Sequence, residues 1–234
     1  MGHIKYVGCF DIPGFKGIVE TAQLDWLIEA FQLVIRKVQA ASQIQRVWGM
    51  EPSLGFKVFS DSIFIWTDND SEDSFLEISL FAQQLITSCV NTGICLRGAI
   101  TKGELFAQGD IIIGKAIVRS YQLEQVQRWV GCWIDPLILS DDVAKELLAQ
   151  QEPNLFLKYN IPTKSGIENN QYVVNWSLIT GASIIFAKQP MKDAINTVFH
   201  WVSKYTDESV EDKKRNTVEF LEYANQAYKG AESI

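Results

Sequence analysis

The chain has 234 residues, 47% of them apolar and 21% charged, which is material for one folded domain with a sizeable core and excludes a disordered chain. A formal net charge of −7 excludes the broad basic face that nucleic-acid binding needs, yet leaves room for a small anion such as a nucleotide. No apolar run has transmembrane length.

The opening "MGHIKYVGCF" enters a strand at once, without the basic-then-apolar layout of an export signal. After "PGFKG", residues Leu24, Leu27, Ile28, Phe31, Ile35 and Val38 keep helical spacing and predict a helix over 20–41. "FKVFS" and "SIFIWTD" predict two strands joined in a hairpin around Asp61. "SEDSFLEISLFAQQLITSC" opens with an acid-rich Ser-x-x-Ser entry and carries Phe75, Ile78, Ala82, Leu85, Ile86 and Cys89 on one helical face.

"CLRGAITKGELFAQGDIIIG" predicts a strand pair, "KAIVRSYQLEQVQ" a helix, "WVGCWIDPLIL" a strand and "DDVAKELLAQQ" a helix. The strand-rich "LFLKYNIPTKSGIENNQYVVNWSLI" is broken by a turn at "KSGIENN". Two helices close the chain, one lined by Ala194, Val198, Trp201, Val202 and Tyr205, the other by Val218, Leu221 and Tyr228, with the charged "TDESVEDKKRN" as connection. The β-α-β-β-α-β order predicts an α+β fold: a ferredoxin-like, palm-type, mainly antiparallel sheet with helices on one face. Residues 1–185 read as one domain with extra strands, and 186–234 as a C-terminal helical segment packed on it.

Cys9, Cys89, Cys95 and Cys132 form no CxxC pair and read as reduced, packed thiols of a cytoplasmic protein. With His3 and His200 the only histidines, a zinc site or a histidine acid/base centre is not expected. Two aspartates stand out instead. Asp11 closes the first strand and Asp61 sits at the hairpin, and a carboxylate in an apolar strand costs several kcal/mol unless it is paired or binds a cation. In this strand order the two converge on one divalent ion, beside a turn leading to a helix N-terminus, where free amides attract phosphate. Taken singly, Asp11 is also an ordinary strand end and Asp61 an acceptor in a tight turn.

"FDIPGFKG", "KVFSDSIFI" and "LRGAITKGELF…IIIGKAIVRSYQLEQ" together resemble the nucleotidyl cyclase catalytic domain over residues 4–126, and within it the bacterial pyrimidine nucleotide cyclases of the Pycsar anti-phage systems. The resemblance implies two ions, Mn²⁺ or Mg²⁺, held by Asp11, Asp61 and the carbonyl of Ile12. It implies a nucleoside triphosphate substrate, UTP before CTP, closed to the 3′,5′-cyclic monophosphate with loss of pyrophosphate as a defence signal. Phosphate contacts fall on the Gly14 and Phe15 amides, Lys16 and Arg97. Lys57 falls on a base-reading position, with Asp110 near the second one.

The chain departs from the purine enzymes where Val118 and Gln122 replace an asparagine and an arginine. Arg119 and Tyr121 lie beside them, Tyr121 able to stack on a base. The family works as a head-to-tail homodimer with shared sites. A surface pairing for Arg97 and a solvated Lys57 are the plain alternatives. A divergent purine cyclase and a catalytically silent nucleotide-binding sensor are the other functional readings.

Overall fold

The computed structural model describes residues 3–15, 54–90, 94–177 and 208–232, together with single positions between 19 and 36, all of them helical. Strand β1 (His3–Asp11) is followed by β2 (Gly55–Phe59) and β3 (Ser62–Trp66), then helix α1 (Glu72–Val90). Next come β4 (Arg97–Gln108), β5 (Ile111–Ile113), α2 (Lys115–Val126) and β6 (Gly131–Ile134). A 3₁₀ turn (Pro136–Ser140), α3 (Asp142–Gln150), β7 (Phe156–Thr163), β8 (Gly166–Val174) and α4 (Glu208–Glu232) complete the described chain. The predicted helix lined by Ala194 through Tyr205 lies outside the described residues, as do many positions of the one over 20–41.

One eight-stranded sheet runs β2-β3-β1-β4-β6-β8-β7, with β5 folded back on β4. Its pairs are antiparallel except β4 with β6. The register places Asp11 opposite Arg97 and Phe10 opposite Ile63. The end of β1, the start of β4 and the tip of the β2–β3 hairpin therefore meet at one corner of the sheet.

Side chains alternate across a strand. Tyr6 and Phe10 go to the face covered by α1, where the Tyr6 and Phe75 rings lie 5.0 Å apart. Val7 goes to the other face, where it packs with Leu105 and with Ala116 of α2. The α+β class and the mainly antiparallel sheet are as expected, and α2 adds cover to the second face because Ala116 fits where Gly103 leaves the strand bare.

Helix α1 begins as its sequence predicts. Ser71 Oγ accepts the Ser74 N–H at 3.2 Å, Asn69 Oδ1 accepts the Ser71 N–H at 2.9 Å, and Glu72 and Asp73 sit in the first turn, where the helix dipole favours them. Three local expectations are corrected. "WVGCWIDPLIL" is not one strand: β6 stops at Ile134 because Asp135 accepts the Leu137 N–H and Pro136 opens a 3₁₀ turn. The β7–β8 turn is only Lys164–Ser165, and Gly166, at φ 135°, already starts β8.

The charged "TDESVEDKKRN" is mostly not a connection, since α4 starts at Glu208 and runs through it. Its acids precede its bases, and Asp212 pairs with Arg215 three residues on. Helix α4 joins the main core through Phe220, whose ring lies 4.7 Å from Trp129 and 5.2 Å from Tyr159. Asn216 also donates to the Arg128 carbonyl at 2.7 Å. No described helix is long and apolar enough to cross a membrane.

Candidate functional site

The corner is made by two turns whose sequences suit them. At the end of β1, the Phe15 N–H donates to the Ile12 carbonyl at 3.2 Å across Pro13 and Gly14. Proline presets the first central position and glycine supplies φ 83° at the second, the pattern of a type II turn. In the β2–β3 hairpin the loop residues are Ser60 and Asp61, with Ser60 at φ 54°, a region that L side chains enter at a cost.

These turns bring the two aspartates close together, near enough for Asp61 to act on the Asp11 carboxyl. Burial pushes the Asp11 carboxyl up to about 7, the nearby Glu124 pushes the same way, Arg97 opposes, and Asp61 adds to the rise.

Arg97 lies beside the pair, deeply buried. Its Nε donates to Glu124 Oε1 at 2.5 Å, Nη1 to the Gln127 carbonyl at 2.8 Å, and Nη2 reaches both Glu124 and, at 3.3 Å, Asp11 Oδ2. Glu124 is fully buried on α2, which pushes its own carboxyl up against the opposing pull of Arg97.

The predicted residues divide into groups. Asp11, Asp61 and Arg97 come together. The Ile12 carbonyl adjoins them but already accepts the Phe15 amide, so that amide is committed to the turn and the expected Phe15 phosphate contact loses its donor. Gly14 is exposed, and Lys16 lies outside the described residues. Arg97, expected to meet phosphate, instead has a protein partner on each of its three nitrogens. Its partners are not surface acids either, since Glu124 is buried.

Lys57 is not simply solvated: its Nζ pairs with the fully exposed Asp110 at 2.7 Å, and that hydrogen bond holds the Asp110 carboxyl below its usual range. Tyr121 stands exposed on α2 with Val118 and Gln122. Arg119 makes a two-pronged pairing with buried Asp135, both contacts at 2.9 Å.

Glu124, Gln127 and Asp135 were not among the expected site residues. For Glu124 a signal existed. It shares the buried stripe of α2 with Ala116, Ser120 and Leu123, and an acid on the apolar face of a helix asks for a buried partner.

The chemistry of the corner suits a hard cation. Two neighbouring carboxyl groups offer oxygen ligands and repel each other when both are ionised, and a divalent ion relieves that repulsion. Among the described residues no group of three or more His, Cys, Asp or Glu is placed to hold a metal. A cation here would rest on Asp11 and Asp61, with the remaining oxygens coming from the backbone, water or a bound phosphate.

No known family profile and no curated protein matches the chain. Solved structures do. The catalytic core of a rhodopsin-guanylyl cyclase with converted specificity, in complex with ATPαS, superposes with a TM-score of 0.53 at 13% identity over 74% of this chain and 96% of that one. A dimeric guanylyl cyclase domain of a RhoGC fusion protein from the aquatic fungus Blastocladiella emersonii gives 0.52 at 13% over 74% and 96%. A bacterial light-regulated adenylyl cyclase gives 0.50 at 12% over 87% and 98%. The chain has the nucleotidyl cyclase fold.

Proposed function

We propose that the chain is a cytoplasmic nucleotidyl cyclase that converts a pyrimidine nucleoside triphosphate, UTP before CTP, to its 3′,5′-cyclic monophosphate and pyrophosphate. The role that goes with this product is a signal in bacterial anti-phage defence. The observation that carries the proposal is the proximity of Asp11 and Asp61 where β1 ends beside the β2–β3 hairpin, in a sheet that has the cyclase fold.

In this reading Asp11, Asp61 and the Ile12 carbonyl would hold two Mn²⁺ or Mg²⁺ ions. When bound, the ions would offset the triphosphate charge and make the ribose 3′-hydroxyl more acidic; in the reaction that hydroxyl gives its proton to solvent, its oxygen bonds to the α-phosphorus and the bond to pyrophosphate breaks. The chain's own residues do the rest. Gly14, exposed in the turn, offers its amide to a phosphate oxygen. Asp11 must give up its proton to ligate, so divalent affinity rises with pH through about 7.

A homodimer with shared sites is part of the proposal. Ile111, Ile113, Val118 and Tyr121, each at least 46% exposed on β5 and α2, supply apolar surface for a second copy. Lys57 and Tyr121 of that copy would face the base and ribose.

Incubating the purified protein with each of the four ribonucleoside triphosphates and Mn²⁺ tests the proposal. The expected product is cyclic UMP, with cyclic CMP second, and Asp61→Asn lowers turnover at least about 100-fold. Failure to make a cyclic nucleotide from any of the four, with Mn²⁺ bound, would overturn it. The Lys57–Asp110 pair favours one other reading, a divergent purine cyclase. A neighbouring donor and acceptor can read a purine edge as well as a pyrimidine one. The same assay separates the two by the triphosphate consumed.

A further inference from the structure

We infer that Glu124 is a positioning residue for the acid pair: it holds the Arg97 guanidinium beside Asp11 as a resident counter-charge and thereby sets how strongly Asp11 and Asp61 take up a divalent cation. The inference rests on the proposed metal-binding role of that pair and assigns Glu124 and Arg97 parts that the proposed reaction leaves open.

A buried carboxylate on a helix is costly and persists only with a fitted partner. Glu124 has one. Its Oε1 accepts from both Nε and Nη2 of Arg97, while Oε2 accepts from Gln125 Nε2 at 2.8 Å. Gln127, just past the end of α2, completes the cradle. Its carbonyl takes Arg97 Nη1, and its side-chain amide donates at 2.9 Å to both the Gly98 and Leu123 carbonyls, tying the helix end to β4. Arg97 is therefore held by α2 and only leans on β1. Its contact to Glu124 is 2.5 Å and its contact to Asp11 is 3.3 Å. The longer contact is the one a cation exchanges.

Charge gives the direction. Asp11, Asp61 and Glu124 set three acids against the one guanidinium, a formal balance of −2 when all are ionised. Without the Glu124 charge the balance falls to −1, and Arg97 transfers its attraction to Asp11. Both changes weaken the cation site.

The test is titration of the whole chain with Mn²⁺ alone at pH 8, above the range in which the Asp11 carboxyl takes up its proton, read by calorimetry or by the electron-paramagnetic signal of free Mn²⁺. Glu124→Gln keeps the shape of the side chain and is expected to weaken Mn²⁺ binding at least about tenfold. The double variant Arg97→Gln/Glu124→Gln restores the formal balance of −2 and is expected to return affinity to within about threefold of the wild type. It also serves as the folded control should Glu124→Gln be unstable. A purely structural ion pair predicts lower thermal stability with unchanged Mn²⁺ affinity in the folded variants, and that result would overturn the inference while leaving the metal site standing. Absence of Mn²⁺ binding by the wild type would overturn the metal reading and this inference with it.

Discussion

Helix α2 presents two arginine–carboxylate clusters, and they are built to opposite ends. In the first, Arg119 meets Asp135 one to one. The fully buried carboxylate also accepts the Thr101 hydroxyl at 2.6 Å and the Leu137 N–H at 3.2 Å. Burial alone would push that carboxyl up, but the bonds from Arg119, Thr101 and Leu137 outweigh it and hold the group below its usual range. In the second, one arginine faces Asp11 and Glu124 with Asp61 close by, and Asp11 is pushed up instead. The balanced cluster is a clamp between α2, β4 and the β6 end. The unbalanced one is short of positive charge, the feature on which the proposed cation site rests.

The contrast breaks most visibly at Asp135. Asp135→Ala leaves Arg119 and Thr101 without their shared acceptor and is expected to cost about 3 kcal/mol, the low end for a broken buried pair because the Arg119 side chain is 41% exposed and can regain water. Thermal unfolding should show a drop of roughly 10 °C in Tm.

The equivalent lesion in the other cluster has the opposite sign. The native Asp11 keeps a proton that the unfolded chain releases, so its contribution falls as pH rises from the ordinary carboxylate range near about 4 to about 7. Asp11→Asn removes that slope. Without divalent ions, the variant should match the wild type at low pH and melt roughly 3 °C higher at pH 8. Equal losses of stability at both pH values would show that Asp11 is as well matched as Asp135. The smallest effect belongs to the turn that aims Asp61. Ser60→Gly relieves the positive φ and should stabilise the fold by about 1 kcal/mol, measured by denaturant midpoint.

Much of the frame was legible because it depends on local signals. The Pro13–Gly14 turn, the Ser71 cap and the β2–β3 hairpin around Asp61 each follow from residues a few positions apart. The two glycines of β4 serve its packing unequally. A Cβ on Gly98 would stand 2.3 Å from the Phe10 ring, whereas one on Gly103 would only touch Ala116 at 3.4 Å. The end of β6 within "WVGCWIDPLIL" and the start of α4 have no such local signal. A buried Asp135 and a docked Phe220 decide those boundaries, and both answer to distant partners.

By itself, then, the sequence determined the alternation of elements, the turns and the two acids that end up side by side, because periodicity, glycine and proline act over a few residues. Only the tertiary structure decided what surrounds those acids. That Arg97 turns to Glu124, that Arg119 is taken by Asp135 and that Lys57 finds Asp110 all depend on which strands become neighbours and on charges brought together from 16 to 53 positions apart in the chain. A buried charge settles on whatever partner the packing brings within reach, and no local pattern carries that information.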